Sequence, residues 1–136
     1  MFRRRHLPPK LERPFEEFRA LLGPLELARS VLTEAVPTTR LPGRSFAEVL
    51  SEFEELLRGI EPAMPGWRAT ELEHEWSTCS RGVQEALSLA ERVRLGATGP
   101  EGFEGLIGTI GDLLAPLDAF AAAAQRFRDL RRSEAG

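Results

Sequence analysis

Apolar side chains recur at spacings of three and four in four separate stretches of this chain, and those stretches take up almost every large hydrophobic residue it has. The first carries Leu11, Phe15, Phe18, Leu22, Leu25, Ala28, Leu32 and Ala35, and the second Phe46, Val49, Phe53, Leu56 and Ile60. The third runs Leu72, Trp76, Cys79, Val83, Ala86, Ala90 and Val93, and the fourth Phe103, Leu106, Ile110, Leu113, Leu117, Phe120, Ala124 and Phe127. A helix turns once per 3.6 residues, so each set falls on one face. Leu21, Leu57, Leu87, Ile107 and Leu114 lie beside these positions and widen each seam into the broad stripe that bundle helices bury. No stretch alternates with a period of two, so the expectation is an all-α chain with no sheet.

Local signals divide the helices. Ser45 with Glu48, Thr70 with Glu73 and Thr98 with Glu101 each set a hydroxyl three residues ahead of a carboxylate, the capping-box spacing. Pro14 and Pro100 suit first-turn positions, where a missing N–H costs nothing. Residues 37–43, 62–66 and 96–99 are rich in proline and glycine and read as short breaks. Connections this short favour antiparallel neighbours, hence an antiparallel up-down-up-down four-helix bundle. Two prolines fall inside helical patterns in matching words, LLGPLELA at 21–28 and LLAPLDAF at 113–120. A proline there frees the carbonyl four residues back and bends the axis, so the first and last helices are expected to be kinked or broken at Pro24 and Pro116. The implied organisation is a flexible basic arm over 1–10, one bundle domain over 11–132 and a disordered tail over 133–136.

At 136 residues the chain is long enough to bury about two-thirds of the surface its unfolded form exposes, with no need of a disulfide or metal. The single Cys79 falls on the buried stripe, where a small core residue is the plain reading, and one cysteine is compatible with a reducing compartment. No apolar run suggests a transmembrane segment. The opening MFRRRH leads into LPPK and not into a signal-peptide core, so a cytoplasmic protein is expected. A formal net charge of -3 argues against dedicated nucleic-acid binding, which draws affinity from a basic face. The 17 arginines to one lysine, with no asparagine and two glutamines, are compatible with a GC-rich genome or a thermophilic habitat.

Charge is unevenly placed. Arg3, Arg4, Arg5, Lys10 and Arg13 face only Glu12 in the first thirteen residues, whereas residues 48–75 hold eight glutamates against Arg58 and Arg68. Both are ordinarily solvated surface; the functional reading has the basic arm dock on an acidic face of its own or a neighbouring subunit, or touch anionic lipid or nucleic acid. Within the acidic stretch, Glu71 and His74 form the Glu-x-x-His spacing that di-iron carboxylate bundles use. A full site needs a second such pair, and the only other histidine is His6. A metal, iron or another divalent ion, therefore requires a homodimer, with Glu52 or Glu55 adding carboxylates. Against it, His74 lies opposite the buried Leu72 and Trp76 on the helical wheel.

Trp67, between a Met-Pro-Gly break and the third helix, reads as a lid on the core or, if exposed, as a partner anchor. Gly102, Gly105, Gly108 and Gly111 stand three apart in GFEGLIGTIGDLLAPL, although each glycine costs a helix about 0.5–1 kcal/mol relative to alanine. A close-packed seam formed by Gly105, Gly108, Gly111 and Ala115 would offset that cost; local flexibility before Pro116 is the competing reading. No nucleophile elbow, phosphate-binding loop or zinc-ligand cluster occurs. The expectation is a noncatalytic interaction or assembly module, a homo-oligomer or the partner of another helical protein, without a cofactor. The alternatives are a dimeric ferritin-like metal-binding protein using Glu71 and His74, and a small-ligand regulatory bundle with its cavity at the proline bends.

Overall fold

Once the apolar stripes are folded into helices, their faces close on one another around a single core. The structure is a computed structural model, and it describes residues 7–34, 45–96 and 102–135. It is all-α: helices α1 (Pro9–Glu34), α2 (Phe46–Ile60), α3 (Glu73–Leu95), α4 (Gly102–Leu114) and α5 (Ala119–Ala135), with no strand among the described residues. Short 3-10 segments occupy Glu61–Trp67, Thr70–Leu72 and Ala115–Asp118.

The helix ends follow their local signals unevenly. Ser45 caps α2 as its spacing predicts, its Oγ accepting from the Glu48 backbone N–H at 3.2 Å. The Thr70–Glu73 box does not form: Thr70 opens a 3-10 turn, Leu72 is the N-cap of α3, and no side chain caps it. Arg68 has drawn the Glu73 carboxylate into a two-pronged pair instead, at 2.6 and 3.1 Å, and a charged fork outcompetes a neutral cap. The Thr98–Glu101 box and Pro100 lie outside the described residues. Pro14 sits inside α1 and not in its first turn, because the helix starts earlier, at Pro9. Residues 62–66, expected as a break, belong to the 3-10 continuation of α2.

The two internal prolines behave differently. The α1 helix runs through Pro24 without a break, whereas around Pro116 the α-helix gives way to the 3-10 turn Ala115–Asp118 that joins α4 to α5. That turn is where α3 comes closest. A Cβ built on Gly82 would stand 2.2 Å from the Pro116 carbonyl oxygen, so only glycine fits there.

Contacts between helices nest in opposite sequence directions. Along α2 and α3, Glu54 meets Arg94, Glu61 meets Gln84 and Met64 meets Trp76. Between α1 and the C-terminal helical run, Phe15 meets Phe127 and Arg29 meets Asp118. Between α3 and that run, Gly82 meets Pro116 and Glu75 meets Arg126.

The core is centred on Phe18, with Trp67 edge-on at 4.9 Å, Phe127 at 5.1 Å and Phe120 stacked at 6.3 Å between ring centres. Most of the described stripe residues are buried; Phe15, Phe46, Leu56, Trp76, Val93, Leu106 and Ala124 are half-buried, and three residues depart further from expectation. Leu22, expected inside the stripe, is 40% exposed, while Leu21, expected to widen it, is buried, because the inner face of α1 runs Leu11, Phe18, Leu21, Leu25, Ala28 and Leu32. Ile107, expected to widen the seam of α4, is 45% exposed. Glu54, counted with the solvated acidic stretch, is 1% exposed inside the α2 face.

Candidate functional site

Three places gather the residues the sequence singles out. At the start of α3, Glu71 is half-buried and its carboxylate lies 2.9 Å from the Lys10 ammonium. That hydrogen-bonded cation holds the Glu71 carboxyl below the usual carboxylate range, against the opposing effect of its own desolvation. Lys10, grouped with the basic arm, is thus a residue of the first turn of α1; Arg3, Arg4 and Arg5 lie outside the described residues. A turn further on, Arg126 of α5 reaches Glu75 at 3.4 Å. The His74 side chain points to solvent, and its carbonyl accepts from Thr78 Oγ1 at 2.9 Å. Glu71 and His74 are brought no third ligand: among the described residues no three of His, Cys, Asp and Glu stand close enough to share a metal ion.

The second place surrounds the two tryptophans. Trp67 is fully buried, its Nε1–H donating to the Met64 sulfur at 3.4 Å. It lies in the core, because the Glu61–Trp67 turn carries it down onto Phe18. The close seat of that turn on α1 is visible at Gly66, where a Cβ would come within 3.0–3.2 Å of the Glu17 side chain. Trp76 is the half-exposed indole: Nε1–H donates to the Met64 carbonyl at 2.7 Å, and the Arg68 guanidinium lies 4.2 Å over its ring. Glu73 completes this cluster through its pair with Arg68 and is held below the usual carboxylate range by that hydrogen bond.

The third place is the outer face of α4. Ile107, Gly108, Gly111 and Ala115 are exposed in one stripe, with Gly105 half-buried at its edge. A Cβ on Gly108 or Gly111 would meet nothing within 4 Å, so among the described residues no helix approaches there. The close approach that small residues allow within this chain is made instead by Gly82 of α3. The sequence signal of Gly82 is its place between Cys79 and Val83 on a buried stripe.

The α4 face belongs to the helical run Glu104–Arg131. By length and composition this run is long and apolar enough to cross a membrane, a property hidden when the helical pattern is cut at Pro116. Its inner residues, among them Leu113, Leu117 and Phe120, complete the core, as those of any core helix do. Beside it, between α1 and α5, lies a groove of about 200 Å³ walled by Leu22 and Ala121 over Leu25, Leu117 and Phe120.

Sequence reasoning missed one further constellation. The buried Glu54 carboxylate is held by Arg94 of α3 at 2.6 and 3.3 Å and by Arg58 at 3.4 Å. Its hydrogen bond to Arg94 raises that guanidinium above its ordinary value. Cys79 is buried as expected, and burial, reinforced by the nearby Glu75 charge, pushes its thiol up to about 12. The chain matches no family model, no curated protein and no solved structure.

Proposed function

We propose that this chain is a noncatalytic interaction or assembly module of the cytoplasm that associates with further copies of itself, built as an up-down-up-down four-helix bundle with its outer helices bent near Pro24 and Pro116. The nested contacts between helices support that topology. The observation that carries the assembly reading is the exposed stripe of Ile107, Gly108, Gly111 and Ala115, in which Gly108 and Gly111 stand open to a close neighbour. Monomers keep such patches small, and larger ones mark contact surfaces.

Native mass spectrometry of untagged protein purified without chelator tests this directly, since it reports subunit count and bound mass together. A metal-free dimer or larger assembly is expected, and Gly108→Leu weakens it if the α4 stripe is the seam. An assembly that retains iron or another divalent ion favours the ferritin-like alternative at Glu71 and His74. A bare monomer at micromolar concentration overturns the self-association reading. The small-ligand alternative has the groove near Pro24 and Pro116 in its favour, but about 200 Å³ falls below the roughly 300–1,000 Å³ that drug-sized ligands occupy.

A further inference from the structure

The self-association reading leaves open which surfaces meet, and the outer face of α1 carries a pattern that answers to one partner. Glu16, Arg19, Leu22, Gly23, Glu26 and Arg29 are all exposed and share a single stripe of the helix, since they follow one another at three- and four-residue steps with Leu22 and Gly23 side by side at the centre. In order, the charges read minus, plus, a leucine–glycine centre, minus, plus. Turned end to end about a two-fold axis between Leu22 and Gly23, the stripe is its own complement. Arg19 then faces Glu26 of the second copy, Glu16 faces Arg29, and Leu22 faces Gly23. A parallel partner would oppose Arg19 to Arg19 and Glu26 to Glu26, which is repulsive.

The centre of the stripe fits close contact. A Cβ on Gly23 would meet nothing within 4 Å, so the helix offers a bare backbone where the axis passes. Leu22 is 40% exposed and lines a groove over Leu25, Leu117 and Phe120 whose rim also carries Glu26 and Arg29, so apolar and charged surface meet at the contact. Gly23 leaves room for the ring of Pro24, which crowds a Cβ on the residue before it, and its open outer side admits a second helix. The charged residues have only loose partners of their own: Glu16 and Arg19 stand 3.6 Å apart, and Arg29 lies 3.7 Å from Asp118, all of them well exposed. Exchange for partners in a second copy is therefore inexpensive.

We infer that two copies of this chain associate through antiparallel α1 helices in an isologous, two-fold contact, with Leu22 seated over Gly23 of the second copy and the Arg19–Glu26 and Glu16–Arg29 pairs setting its register. This rests on the self-association reading and places it on α1.

Charge reversal tests the seam with a complementation that a merely structural role does not produce. The Arg19→Glu variant opposes two glutamates at each end of its own dimer, and Glu26→Arg opposes two arginines. Each alone dissociates more readily, by about tenfold or more at low salt, given that exposed pairs contribute ~0.2–1 kcal/mol apiece and several reverse sign together. Mixed in equal amounts, the two variants restore attraction at both ends, and native mass spectrometry reads the heterodimer by its distinct mass. Both positions are exposed, and far-UV circular dichroism checks that helicity is kept. A wild-type dimer insensitive to either reversal overturns the α1 seam, as does a mixture that stays monomeric. A dimer lost only on Gly108→Leu overturns it too, while leaving the assembly reading standing on α4. A monomeric wild type overturns both.

Discussion

At single residues, this fold is least tolerant where a backbone stands in for a side chain. Gly82 has the Pro116 carbonyl oxygen 2.2 Å from where its Cβ would be, and a backbone atom cannot rotate away. Gly82→Ala should therefore force α3 and the 3-10 turn apart, at a cost of about 1–3 kcal/mol for overpacking, read as a lower urea midpoint. Gly108→Ala is the contrasting case: its Cβ enters open space, and in an exposed helix it should raise stability by about 0.5–1 kcal/mol. Equal effects of the two changes would show that the Gly82 approach is unimportant. Cys79 is buried, with its thiol pushed up to about 12, so little thiolate exists at neutral pH. A disulfide-exchange reagent at pH 8 should label it about a hundredfold more slowly in the native protein than in urea; comparable rates would mean that α3 opens readily.

Among helices, the sequence makes faces legible and pairings much less so. Periodicity places Phe18, Phe53, Val83 and Leu117 inward because burial acts on one side of a regular spiral. It cannot choose between Leu21 and Leu22, neighbours of equal hydrophobicity, since the curvature and partners of α1 decide which one turns in. It also misreads Glu54, because a carboxylate looks solvated until Arg94, 40 residues away, is folded against it. That pair joins α2 to α3 with one sealed charge and one that reaches water. Arg94→Ala leaves the Glu54 carboxylate buried beside only Arg58 at 3.4 Å, whereas Glu54→Leu frees arginines that can turn to solvent. The first should destabilise by about 3 kcal/mol and the second by less than about 1 kcal/mol, in denaturant titrations at neutral pH. The reverse order would place the stabilisation in packing around the carboxylate and not in its charge. At the start of α3, hydrogen bonds from Lys10 and Arg68 lower the Glu71 and Glu73 carboxyls from their ordinary 4.5. A carboxyl lowered on folding contributes stability present above its unfolded value and lost as pH falls through the folded one. Melting temperature should therefore drop below about pH 4.5, and Lys10→Met with Arg68→Met should flatten that drop while retaining the apolar stems. An unchanged acid profile would show that these pairs do not stabilise the folded state.

For the whole molecule, a well-filled interior coexists with a few apolar side chains left at the surface. Phe18, Trp67, Phe120 and Phe127 close the core, yet Ile107, Gly108, Gly111 and Ala115 stay exposed along one stripe. Leu22, Leu27, Leu95 and Ile107 are large hydrophobics at the surface. A sequence pattern contributes to each half of this picture, but it cannot say which apolar face is left over, because that depends on how many faces the fold uses up. An assembly through the α1 stripe couples folding to concentration, since a partner that binds only the folded chain stabilises it by mass action. Each tenfold rise in protein concentration should then raise the melting temperature by about 3 °C. The slope should vanish in Arg19→Glu and return when that variant is heated with an equal amount of Glu26→Arg. Unfolding that is reversible and independent of concentration across that range would mean that two copies do not meet through α1 under those conditions.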